Sequence, residues 1–102
     1  MTSKIRRRVI VKGRVQGVSF RAYTRSAARE IGVLGWVRNL PDGSVETVLE
    51  GDPERVGLML AWLKTGSPYS RVDDVMIIEE KPSGGFVNFD ITFDTWESWR
   101  VR

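Results

Sequence analysis

Phe20, Tyr23, Thr24, Ala27, Ala28 and Ile31 recur at i, i+3, i+4, i+7, i+8 and i+11. Only a helix lays that spacing along one face, so the stripe predicts an amphipathic helix with a core to cover. Its flanks limit what it can cover. Upstream, "RVIVK" (8–12) reads as a strand, with Val9 and Val11 on one face and Arg8, Ile10 and Lys12 on the other. Downstream, "VLGWVRNL" (33–40) and "SVETVLE" (44–50) enclose "PDG" (41–43). There proline presets φ and glycine supplies a positive one, which predicts a hairpin. Ser19 is placed to N-cap the helix and Gly32 to end it.

A second helix opens on Asp52 as cap, Pro53 as its first residue and Glu54 in its first turn. Val56, Met59, Leu60 and Leu63 form its buried stripe, with Trp62 at the edge; Gly66 and Pro68 stop it. "DDVMIIEE" (73–80) reads as a fourth strand with apolar residues on both faces. After the loop "KPSGG" (81–85), "FVNFDITF" (86–93) reads as a half-buried strand, Phe89, Ile91 and Phe93 alternating with Asn88, Asp90 and Thr92. The order strand, helix, strand, strand, helix, strand, strand is a split βαβ repeat. It predicts an α+β, ferredoxin-like sandwich, two helices on one face of an antiparallel sheet of four to five strands. Residues 1–93 are expected to form one domain and 94–102, "DTWESWRVR", an extension that fits no element. Trp96 and Trp99, three apart, are expected to pack on the domain's own surface.

The chain has no cysteine and no histidine. Disulfides, thiolate metal sites, the common zinc sites and any imidazole base are thereby excluded. A net charge of +3 suits an anionic ligand without choosing one. "KIRRR" (4–8) reads as a solvated start to the first strand. No apolar run reaches membrane-spanning length, and no apolar stretch of a signal peptide follows "MTSKIRRR". A cytoplasmic location and no membrane partner are expected. Asp73–Asp74 and Glu79–Glu80 are neighbours on a strand, so each pair faces opposite ways and reads as solvated charge. Trp36 is expected to pack.

"GRVQGVSFR" (13–21) joins the first strand to the first helix. Gly13 and Gly17 permit tight curvature, and N–H groups converging on a helix N-terminus attract anions. Arg21 lies in the first turn, where a cation opposes the helix dipole by about half a kilocalorie per mole. A bound anion would offset that. The plainer reading is an ordinary turn with a solvated arginine, like Arg25 and Arg29 further along the same row. The stretch is neither a Walker loop, lacking the terminal GK[ST], nor a dinucleotide fingerprint, whose glycine spacing differs. In "GWVRNLPDGSVETVLEG" (35–51), Asn39 ends a strand just before the hairpin. It either supports its own turn or aims an amide at a small ligand.

Together, "GRVQGVSFR" and "GWVRNLPDGSVETVLEG" resemble the two signatures of the acylphosphatase family, in order and on the expected elements. "WLKTGSPYSRVDDV" (62–75) is similar to the segment after that family's second helix, so the resemblance runs from about Arg8 to Phe93. It implies hydrolysis of a small acyl phosphate to a carboxylate and inorganic phosphate. It implies a phosphate cradle built from the backbone of Val15, Gln16, Gly17, Val18, Ser19 and Phe20. It implies that Arg21 holds the phosphoryl group and Asn39 positions the attacking water, with no metal or organic cofactor. Two departures stand out: Ser19 lies where many relatives carry glycine, and the tail from Asp94 runs past the family's usual end.

The substrate class explains how a chain without histidine or cysteine can be an enzyme. The departing carboxylate has a conjugate acid near about 4 to 5, so its oxygen needs no general acid at neutral pH. Phosphoryl transfer is mostly positioning and charge stabilisation. A monomer is expected. The alternative uses are a non-catalytic phosphate-binding domain or an RNA-binding sheet. No nucleic-acid partner is expected, because RNA modules of this architecture stack bases on aromatics of the first and third strands, and "RVIVK" and "SVETVLE" have none.

Overall fold

A computed structural model describes residues 3–93. In chain order the elements are β1 (Ile5–Arg14), α1 (Phe20–Ile31), β2 (Leu34–Asn39), β3 (Val45–Gly51), α2 (Pro53–Thr65), β4 (Arg71–Glu80) and β5 (Phe89–Ile91). The sheet order is β4-β1-β3-β2-β5. Both helices lie on one face, where Phe20, Ala28, Val56, Met59 and Leu63 meet Val9, Val11, Val37, Val45 and Leu49 in a single core. The ferredoxin-like α+β sandwich is therefore as expected. The tryptophans at 96 and 99 lie outside the described residues.

Two expectations about the sheet are corrected. It is mixed, not antiparallel throughout: β1, β3, β2 and β4 pair antiparallel, but β5 runs parallel to β2. The cause is the crossing from β4 at one edge to β5 at the other, which brings the last strand in alongside β2 in the same direction. The crossing also consumes residues expected to be strand, so β5 spans Phe89–Ile91 rather than 86–93. Main-chain N–H groups of Ser83 and Gly84 donate to the carboxylate of Glu50 at 2.8 and 3.0 Å, pinning the crossover. Glu50 is buried, and these bonds supply the donors that a carboxylate out of water requires.

The helix ends follow local chemistry at three of four positions. Asp52 accepts the Arg55 main-chain N–H at 2.9 Å, with Pro53 next in line. Gly32, at φ 95°, ends α1 by donating to Ala28 O at 2.8 Å. Gly66 ends α2, its N–H donating to Trp62 O at 2.8 Å. Ser19 departs from expectation. It holds the N-cap position in a left-handed conformation (φ 59°, ψ 25°), and its side chain makes no capping bond. A side-chain cap needs an extended backbone at that residue, which the loop denies it.

The arginines of "KIRRR" are not a solvated preamble. β1 begins at Ile5, and its arginines are paired on the strand. Arg6 and Arg8 each approach Glu80 at 2.9 Å; Arg8 also meets Glu46 at 2.8 Å, and Arg38 meets Glu46 at 2.6 Å. The ladder Arg38–Glu46–Arg8–Glu80 crosses all four antiparallel strands in their spatial order. Glu80 is accordingly a partnered charge, correcting the expectation of a solvated one. Burial pushes its carboxyl pKa up, but hydrogen bonds and charge from Arg6 and Arg8 outweigh that and hold it below its ordinary value.

Candidate active site

The loop between β1 and α1 is bent into place before it begins. Where β1 pairs with β4, the register slips between Lys12 and Gly13. Gly13 sits at φ 133°, and a Cβ there would lie 2.1 Å from Arg71 O. Only glycine allows this close approach of two backbones. Val15 then plunges into the core, 1% exposed, and Phe20 does the same at the start of α1, its ring tilted against Trp62 at 5.9 Å between centroids. Between these two anchors the chain curls. Gly17 has φ 74° and Ser19 φ 59°, and a Cβ on Gly17 would meet nothing within 4 Å. Alternating handedness can turn successive N–H groups toward a common side, the geometry of an anion nest, and this loop carries two positive-φ residues two positions apart. Ser19 is the only non-glycine with positive φ among the described residues. Such a conformation costs about 1–2 kcal/mol and concentrates at functional loops.

The side chain of Gln16 reaches the β2–β3 turn. Its amide nitrogen donates to Leu40 O and to Ser44 O, both at 2.8 Å. Those two carbonyls bracket the β2–β3 turn, where Leu40 N–H donates to Ser44 O and Gly43 N–H to Leu40 O. Asp42 tightens the turn by accepting from both the main-chain N–H and the hydroxyl of Ser44. Asn39 ends β2 immediately before this turn, paired with Val45. It is buried, and its Oδ1 has no hydrogen-bond partner. A buried acceptor left unmatched costs about 1–3 kcal/mol, so its presence asks for a function.

Arg21, in the first turn of α1, carries its guanidinium 4.9 Å from the ring centre of Phe93. That places it relative to β2. β5 is level with Val37 at Ile91, and Thr92 N–H donates to Val37 O at 2.9 Å. Continuing in the same direction, Phe93 lies toward the end of β2 that carries Asn39. The loop, Arg21 and Asn39 thus gather at one end of the sandwich, the end where β1 and β2 finish. Arg29, in the same helical row as Arg21, is exposed as read from sequence, and it also has partners: it donates to Phe89 O at 3.0 Å and meets Asp90 at 3.3 Å. A recess of about 620 Å³ lined by Ile31, Asp52, Glu54, Arg55 and Leu58 lies at the opposite end. Asp52 there is engaged in capping α2.

The acylphosphatase family model matches residues 7–91. An acylphosphatase of Syntrophobacter fumaroxidans is 55% identical over 93 residues, covering 91% of this chain and 96% of its relative. The chain belongs to the acylphosphatase family. An acylphosphatase of Anaeromyxobacter dehalogenans is 45% identical, covering 91% of this chain and all of that one. Among solved structures, the Bacillus subtilis acylphosphatase superposes with a TM-score of 0.83 at 38% identity, covering 86% of this chain and 98% of that one. The chain is an acylphosphatase enzyme, and the catalytic reading of the fold prevails over a non-catalytic or RNA-binding one. No group of three potential metal-ligating His, Cys, Asp or Glu side chains occurs among the described residues, and no described helix is long and apolar enough to cross a membrane.

Two features of this acylphosphatase site are not legible from sequence. The partners of the Gln16 side chain lie 24 and 28 residues downstream, and no local pattern links them. Phe93 reads in sequence as one more inward residue of a strand; it is exposed beyond the end of β5 and stacks on Arg21 instead.

Proposed function

We propose that this acylphosphatase cleaves small acyl phosphates by in-line attack of water, with the work divided among loop, arginine and asparagine. Main-chain N–H groups from Val15 to Phe20 donate to the equatorial phosphoryl oxygens, where charge develops. Arg21 adds a guanidinium able to bind two of those oxygens at once, which an ammonium cannot. Asn39 Oδ1 accepts a hydrogen bond from the water and holds it on the phosphorus axis. The water oxygen forms its bond to phosphorus as the bond to the acyl oxygen breaks. The carboxylate leaves without a proton, and the proton shed by the water passes to a phosphate oxygen. No step calls for a metal or an organic cofactor. We place the enzyme in the cytoplasm as a monomer.

The observation that carries this reading is the buried, unmatched Oδ1 of Asn39 at the same end of the molecule as the glycine-curled loop and Arg21. A hydrolysis assay tests it. A simple acyl phosphate should be cleaved with and without a chelator, while a phosphate monoester, whose alkoxide leaves poorly, should not. Chelator-sensitive turnover, or equal turnover of the monoester, would contradict the mechanism.

A further inference from the structure

The Gln16 side chain stands apart from the rest of its loop. Val15 beside it is buried in the core, whereas the Gln16 amide reaches across to the base of a hairpin. Both N–H bonds of that amide are used, each at 2.8 Å and each on a carbonyl that already helps to close the turn. The two carbonyls belong to residues one and five positions beyond Asn39. A planar primary amide suits the task, because its two donors diverge at a fixed angle and match two carbonyls presented side by side.

We infer that Gln16 is a positioning residue for Asn39: its amide sets the separation between the phosphate cradle and the water-holding carboxamide. This rests on the proposed role of Asn39. The physical argument is geometric. Asn39 and the cradle sit on different elements, and water attack succeeds only if oxygen, phosphorus and leaving group are collinear. A displacement of about 1 Å costs roughly a hundredfold in rate. Gln16 ties the β2–β3 turn to the loop through two bonds, and their loss would release that tie. Gln16 makes the tie without touching the substrate through its side chain, so its effect belongs to turnover rather than to binding.

Gln16→Met removes both donors at nearly constant length and volume. With an acyl phosphate as substrate and inorganic phosphate as competitive inhibitor, kcat is expected to fall roughly ten- to a hundredfold, by the same misplacement argument. The phosphate inhibition constant should move by less than about threefold, since the cradle's N–H groups remain. The decisive comparison is a cycle with Asn39→Ala. If Gln16 works through Asn39, Gln16→Met should add little to the loss already caused by Asn39→Ala. A full additional loss in that background, a kcat unchanged in the single variant, or a phosphate affinity that falls as far as kcat would each overturn the assignment. Should Asn39→Ala alone leave kcat intact, the role of Asn39 itself fails, and that is seen before Gln16 is altered. Melting curves confirm folding, and Gln16→Leu replaces the methionine variant if that one does not fold.

Discussion

Gly13, Val15, Phe20 and Ser19 show how single residues shape the loop proposed to cradle phosphate. Val15 and Phe20 are core residues by burial, so the loop's two ends are fixed by the same packing that stabilises the fold. Ser19 accepts a left-handed backbone that glycine would take at lower cost. Gly13 has no such latitude. Replacing it with alanine forces a Cβ against the β4 main chain, at 2.1 Å from Arg71 O and 2.8 Å from Asp73 N, at a φ that L-residues avoid. Backbone cannot yield as a flexible side chain would. Gly13→Ala is expected to destabilise the protein by about 3 kcal/mol or more, read as a lower denaturant midpoint. An unchanged midpoint would mean that the β1–β4 slip is not built as described.

At the scale of elements, the helices and central strands were legible because their information is local. A 3.6-residue stripe, a proline after an aspartate and a glycine in a tight turn each act within a few positions. β5 was not, because its length and direction are set by a crossover anchored to Glu50, more than thirty residues earlier in the chain. The arginine ladder was hidden for the same reason: Arg8 and Glu80 meet only because β1 and β4 are neighbours in space. That ladder carries a pH signature. A carboxyl whose pKa is lowered on folding adds stability above its unfolded value, and the addition disappears as pH falls through the folded value. For Glu80 the unfolded value is the ordinary 4.5. Stability should therefore fall on acidification below about 4.5, and Glu80→Gln should make that fall shallower while lowering stability at neutral pH. Denaturant midpoints measured between neutrality and acid would check this; parallel curves for the two proteins would show that the ladder contributes nothing.

Considered whole, the molecule gathers the residues of the proposed chemistry at one end of a ferredoxin-like sandwich. The sequence motifs pointed to Arg21 and Asn39, and the strand order explains why residues so far apart in the chain share an end: β1 and β2 both finish there, flanking β3 as it sets out. What motifs could not convey is the bracing, Gln16 against the hairpin and Phe93 against Arg21, since each depends on packing between distant segments. The central claim is a division of labour between an arginine that holds the phosphoryl group and an asparagine that holds the water. Steady-state hydrolysis of an acyl phosphate, with inorganic phosphate as inhibitor, measures both on Arg21→Ala and Asn39→Ala. Arg21→Ala should lose on the order of a thousandfold in kcat together with most of its phosphate affinity. Asn39→Ala should lose roughly a hundredfold or more in kcat and bind phosphate nearly as well as the parent. If phosphate binds the Arg21→Ala protein as tightly as the unaltered enzyme, or if Asn39→Ala weakens phosphate while sparing turnover, the account is wrong.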